Sequence, residues 1–167
     1  MNTKENLIQQ LGLLPHPEGG YYKETYRSQG SIPEESLPEA YSGSRSHATG
    51  IYFLLTSDSF SAFHKINQDE IWHFYDGAPI RLHIISKEGV YSHHTIGRNV
   101  LAGEVPQLVV EGGDWFAAEV IGEDTYAFTG CTVAPGFDFK DFVLPSGEEL
   151  ITLFPEHAEV IKKLTHH

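Results

Sequence analysis

The 167-residue sequence predicts an all-β fold, a sandwich or barrel of short strands with a short helix at each end. Three observations predict it. Between Thr49 and Pro145 the chain is a series of short apolar or alternating runs of strand length. Turn signals separate them at Ser57-Asp58, Asp76-Gly77, Lys87-Glu88-Gly89, Gly112-Gly113-Asp114 and Gly122-Glu123-Asp124. No helical repeat, low-complexity tract or linker divides the chain, so residues 1–167 read as a single domain with a barrel core at about 20–154.

Each element follows in order. Thr3 can cap a short helix with Leu7, Ile8 and Leu11 on one face and Gly12 near its end. Pro15 and Pro17 prevent its continuation, and Gly19-Gly20 turn the chain. From Tyr21, YYKETYR alternates polar with aromatic residues as a half-buried strand does. Residues 28–46 are rich in Ser, Gly, Pro and Glu and read as a long loop, suited to a lid, an arm or a subunit contact. The strand runs are TGIYFLL, FSAFHKI, DEIWHFYDG, IRLHIIS, GVYSHHTIG, PQLVVEGG, WFAAEVIG, YAFTGCTVA and FDFKDFVLP. A helix is expected from about Pro155, with Glu156 and Glu159 early and Lys162 and Lys163 late, matching the helix dipole.

Composition narrows the function. Apolar residues make up 40% and aromatics 12%, as in a packed globular protein. A formal charge of −12 with scattered basic residues argues against nucleic acid, whose phosphates need a basic surface. Cys131 is the one cysteine, which excludes an intramolecular disulfide and a CxxC zinc site. No run approaches the roughly 20 apolar residues of a membrane span, and the N-terminus lacks a signal-peptide core, so a cytoplasmic location is expected. The chain also lacks GxGxxG, a Walker phosphate loop and GxSxG, which disfavours dehydrogenase, kinase and α/β-hydrolase chemistry.

Three segments carry a family resemblance: LGLLPHPEGGYYKETYRS, FHKINQDEIWHFYDG and GCTVAPGFDFKDF. Together with VVEGGDWFAAE, which stands as a second half-motif after the stretch His64 to Gly77, they resemble the cupins, and within them the cupin-5 or DUF985 branch. The resemblance covers residues 7 to 155. It implies a double-stranded β-helix, a jelly-roll barrel around a small-molecule pocket, and a homodimer. In the metal-binding cupin pattern His64 takes the first His place, Ile66 the second, Glu70 the Glu place and Gly77 the Gly place. In the second half-motif Glu111 stands where Pro is usual, Gly113 matches, and Phe116 falls where the last His belongs.

A metal centre normally takes at least three protein ligands at about 2.0–2.2 Å, and this alignment supplies two. Strand alternation places Glu70, Trp72 and Phe74 on one face and Asp69 and His73 on the other, so a third ligand would have to come from elsewhere, such as His83 or Tyr22. His64 and Glu70 are therefore assigned as catalytic candidates without a metal, His64 as general base and Glu70 as the carboxylate that orients it. The resemblance supports this, since metal-free cupins such as nucleotide-sugar epimerases move a proton beside a carbonyl with a His base and a Tyr acid. Tyr22, Trp72, Phe74 and Phe116 are the candidate pocket wall, and Arg27 could edge its mouth or a dimer seam. The expected function is a small-molecule-binding protein, with isomerase or epimerase-like chemistry on a sugar or other polar metabolite. A metal-dependent oxygenase or lyase with a divalent ion at His64 and Glu70 is the alternative, and a binder without catalysis is the second. His64 bonded to Glu70 could equally be a structural pair. Among the rest, His93-His94 read as surface, His16 as rigid and exposed, and His47 as a pocket residue only if the long loop folds over. Cys131 reads as a buried, inert thiol.

Overall fold

The computed structural model describes residues 2–166. The chain opens with α1 (Lys4–Leu11), capped by the Thr3 hydroxyl accepting from Asn6 N–H and closed by Gly12 in the left-handed conformation. Twelve strands follow, and every pairing between named strands is antiparallel. One sheet carries, in spatial order, β1 (Leu14–Pro15), β2 (Tyr21–Arg27), β5 (Thr49–Thr56), β12 (Tyr126–Ala134), β7 (Asp69–Gly77) and β10 (Gln107–Val110). The facing sheet carries β6 (Phe60–His64), β11 (Trp115–Val120), β8 (Ile80–Ile85) and β9 (Tyr91–Ile96). A small hairpin of β3 (Ser31–Ile32) and β4 (Arg45–Ser46) stands apart from both.

The two sheets share an apolar interior because alternate residues of each strand face inward. Phe53 and Leu55 on β5, Trp72 on β7, Leu82 on β8, Phe116 on β11 and Cys131 on β12 all belong to that buried cluster. The other face of the four-stranded sheet is covered by α2 (Gly147–Leu153) and α3 (Ala158–Lys163), whose Leu150 and Ile161, with the following Leu164, pack on Phe63, Ile85 and Trp115. Leu7 of α1 packs with Leu13 against Leu54 and Phe128 on the outside of the six-stranded sheet. Among the described residues no helix is long and apolar enough to cross a membrane.

Three expectations need correction. The run FDFKDFVLP forms no strand: Asp138 accepts from Lys140 N–H and starts a 3-10 turn over Phe139–Asp141. Residues 28–46 contain the β3–β4 hairpin and a 3-10 turn at Glu34–Ser36 rather than unbroken loop. The terminal helix is preceded by α2, which starts on a reciprocal cap between Ser146 and Glu149 that the pattern of strand runs does not reveal.

Candidate active site

The segment PHPEGG between β1 and β2 turns back on itself, His16 N–H donating to Gly20 O at 2.9 Å and Gly19 N–H to His16 O at 3.0 Å. Gly19 has φ +113 and lies against the Phe60 carbonyl, so a side chain there meets both a strained backbone and a direct clash. This turn sends Glu18 into the barrel, where the residue is 6% exposed. Its main chain is docked as well, because Ala62 N–H donates to Glu18 O at 2.8 Å.

Glu18 Oε2 meets His64 Nε2 at 2.7 Å. The other ring nitrogen, Nδ1, lies 2.7 Å from Ala62 O on the same strand. A carbonyl oxygen only accepts, and so does an ionised carboxylate, so both ring nitrogens carry hydrogen and His64 is an imidazolium bonded at both ends. The electrostatics agree. Burial disfavours the charge on His64, yet the Glu18 carboxylate, with a smaller contribution from Glu70, holds its pKa above the ordinary value. Burial likewise opposes charge on Glu18, and His64 outweighs it, drawing the carboxyl below its usual range.

Glu70, on β7, is in a different condition. It is 9% exposed, and its Oε2 is buried with no hydrogen-bond partner. Burial, partly offset by His64 and reinforced by Glu18, pushes its pKa up to about 7. The neighbouring Cys131 is 2% exposed and its thiol is raised well above the ordinary value, by burial first and then by Glu70 and Glu18. Cys131 is thus a protonated wall residue rather than a nucleophile.

These groups line a cavity of about 410 Å³. Its walls are Tyr22 and Glu24 on β2, Thr49 and Ile51 on β5, Ile66 after β6, and Val133 on β12. Phe137, Phe139 and Phe142, from the segment after β12, form an aromatic cluster with ring centroids 5.0 to 6.3 Å apart. Asp141 holds that segment in place: Arg45 donates to its two oxygens at 2.9 and 2.8 Å, and Gln68 at 2.8 Å. At the rim, Arg27 is tied to Glu24 at 2.6 Å and to Phe137 O at 2.9 Å.

The family description "Cupin superfamily (DUF985)" matches residues 5–145. The chain belongs to this cupin family. An uncharacterized protein of Saccharomyces cerevisiae is 33% identical over 157 residues, 89% of this chain and 78% of that one. A hypothetical protein from Leishmania major shares the structure with a TM-score of 0.91 at 37% identity, over 99% of this chain and 100% of that one. A protein from Shewanella oneidensis gives 0.89 at 35% identity, over 99% of each chain. An oxalate decarboxylase from Bacillus subtilis matches at 0.54 and 14% identity, over 90% of this chain and 36% of that one, a likeness of fold alone.

Within the cupin barrel the sequence candidates fall into two groups. Tyr22, His64 and Glu70 line the cavity. Trp72 and Phe116 lie behind it, 1% exposed each, with Phe116 packed at 4.1 Å on the His64 ring and Trp72 edge-on to Phe116. Phe74 packs against the interior cluster with Arg98 over its ring. The partner that orients His64 is Glu18, not Glu70, and this reassigns the pair expected from the sequence. His16 is not exposed: its side chain is 8% accessible, lies on the cavity wall and accepts from Glu18 N–H at 3.2 Å. His83 is bonded to Tyr91 and Glu119 at 2.7 Å each, outside the cavity. The four cupin ligand places hold His64, Ile66, Glu70 and Phe116, and both His64 nitrogens are already bonded, to Glu18 and to Ala62 O. Among the described residues no three His, Cys, Asp or Glu side chains are grouped to hold a metal. These residues do not fit a metal centre of that pattern.

Proposed function

We propose that the cavity binds a small polar metabolite and moves a proton on it without a metal, an isomerase or epimerase-like activity in which Glu70 is the acid–base group. One observation supports this above the others. Glu70 is a buried carboxyl on the cavity wall with an unpartnered oxygen and a pKa of about 7, so near neutral pH it both gives and takes a proton. His64 is unsuited to the base role expected from the sequence, since neither ring nitrogen has a free lone pair. It acts as a fixed positive charge held by Glu18.

The step runs as a balanced proton shuttle. Glu70 takes a proton from the carbon beside a substrate carbonyl, and the C–H electron pair becomes the C=C bond of an enolate. Negative charge collects on the former carbonyl oxygen, and the nearby imidazolium lowers the cost of that charge. Protonated Glu70 then returns the proton to the same carbon and the carbonyl reforms. Return to the former carbonyl carbon instead requires that the neighbouring hydroxyl pass its proton to the enolate oxygen, and the carbonyl then forms at the neighbouring carbon. The interior setting strengthens each charge–charge interaction relative to water.

The test is solvent exchange. Wild-type protein is incubated in D₂O with a panel of aldoses and ketoses, including glucose, fructose, mannose and glucosamine, and deuterium at the carbon beside the carbonyl is read by NMR. Exchange into one or more of these, lowered at least 100-fold in Glu70→Gln and less in Glu18→Gln, is the expected result. Absence of exchange across the panel, or exchange undiminished in Glu70→Gln, overturns the catalytic reading and leaves a protein that binds without turnover.

A further inference from the structure

The charge of the cavity wall points to the class of ligand it takes. Among the described residues that line it, two carry positive charge, and each is already spent. Arg27 is paired with Glu24, and His64 with Glu18. Glu70 and Asp138 also line the cavity, and among the described residues neither forms an ion pair, although the His64 charge is felt at Glu70. An anionic ligand would meet these two acidic groups, and neither N–H of His64 is free to bond it, so the imidazolium acts on it only at a distance. The third side of the site is aromatic: Phe137, Phe139 and Phe142 are clustered at its wall, their rings 71° to 81° apart. Aromatic surface with a desolvated carboxylate is the combination that suits an organic cation, through ring quadrupole and ion pair together.

We propose that the ligand carries a protonated amine, and that Glu70 receives it while the phenylalanine cluster covers the adjoining apolar body. The inference rests on the reading above that this cavity is the ligand site, and it narrows the substrate to an amino carbonyl compound. The ammonium holds Glu70 in the ionised form that a base requires, and lowers its basicity in doing so. Glu70 gives it a built anchor, an unpartnered oxygen on a residue nine-tenths buried. A neutral ligand leaves that oxygen without a strong partner, whereas an ammonium group satisfies it and balances its charge.

The experiment uses three probes of one shape and different charge: cyclohexylamine, cyclohexanol and cyclohexanecarboxylate. Binding to the intact protein at pH 8 is followed by protein chemical shifts, beside Glu70→Gln and Asp138→Asn. Cyclohexylamine is expected to bind at least tenfold more tightly than cyclohexanol, with the carboxylate weaker than both. The preference should vanish in Glu70→Gln, whose folded state is read from its amide chemical shifts, and should fall by less than about threefold in Asp138→Asn. Equal binding of alcohol and amine, preference for the carboxylate, a preference that survives Glu70→Gln, or no binding by any probe overturns the proposal. Because binding is read without turnover, the two readings separate. Amine preference with no deuterium exchange sinks the catalytic assignment alone, and exchange into neutral sugars without amine preference sinks this one alone.

Discussion

Glu70 and Glu18 sit in the same cavity and titrate in opposite directions. Glu18 has an imidazolium at 2.7 Å, and Glu70 has none so close. For Glu70 the sign of the pH effect is fixed by its raised value. Between its ordinary pKa and about 7 the folded protein holds a proton that the unfolded chain has released, so stability falls as pH rises through this window. The full cost above it is ~3 kcal/mol, since each tenfold change in a proton-binding constant is worth about 1.4 kcal/mol. Glu70→Gln is therefore expected to raise unfolding stability by ~2–3 kcal/mol at pH 8 and by little at pH 4.5, read from urea denaturation at both values. A gain of equal size at the two pH values would mean that packing, not charge, is responsible. The two members of the His64–Glu18 pair differ: His64 follows the direction of Glu70, and Glu18 runs the other way. The raised histidine stabilises at low pH and loses this as pH rises through its folded value, and the lowered carboxyl loses its contribution as pH falls through its own. At this scale the sequence was only partly legible. Alternation placed Glu70 with Trp72 on the inner face and His73 outside, as the strand shows. Glu18 could not be read, because PHPEGG looks like an exposed turn until the Phe60 carbonyl and His64 are placed beside it. The signal was the Gly19-Gly20 pair, both at positive φ, which lets a turn press close enough to bury the carboxylate that precedes it.

The element that completes the cavity is the segment after β12, and it is latched rather than free. Arg45 and Asp141 are 3% and 4% exposed and joined by two hydrogen bonds, with Asn67 and Gln68 adding further donors to the same carboxylate. Arg45 in turn binds the carbonyls of Ser42, Gly43 and Ser44, so one ion pair fastens the end of the long loop to the phenylalanine segment. Removing one member of such a pair strands the other charge in the interior, at about 3–5 kcal/mol. Asp141→Ala is expected to lose stability in that range, and amide exchange should accelerate first in residues 42–46 and 137–142. Uniform acceleration over the whole barrel would refute the latch. The sequence suggested a lid or arm for the long loop but gave no sign of its fastening. Arg45 and Asp141 are 96 positions apart, a separation at which no local pattern links two residues. The same distance hid the role of FDFKDF, whose alternation mimics a strand while its aspartates serve as a turn cap and an ion-pair partner.

For the molecule as a whole, the barrel needs its terminal helices. Leu150, Ile161 and Leu164 are at most 1% exposed and cover Phe63, Ile85 and Trp115, which face away from the barrel interior. Ile161→Ala should cost about 2–5 kcal/mol by creating a cavity in that layer, measured by denaturant unfolding. Probe binding in the folded variant should be unchanged, because the layer lies on the far side of the sheet from the pocket. Most of this architecture was legible. Strand runs, turns and the first helix can be read from local periodicity and capping, and eight of the runs named between Thr49 and Ala134 became strands. Strand order was not, since neighbours in a sheet are chosen by packing across the barrel. That order has a consequence for how the protein is made. β12 lies between β5 and β7, and without it the six-stranded sheet falls into two unconnected pieces. As the chain leaves the ribosome, β2, β5, β7 and β10 emerge while the strand that must join them is still unsynthesised. Their edges stay open until residue 134 is out. The nascent protein is thus expected to depend on chaperones through most of its translation and to fold cooperatively only near its end.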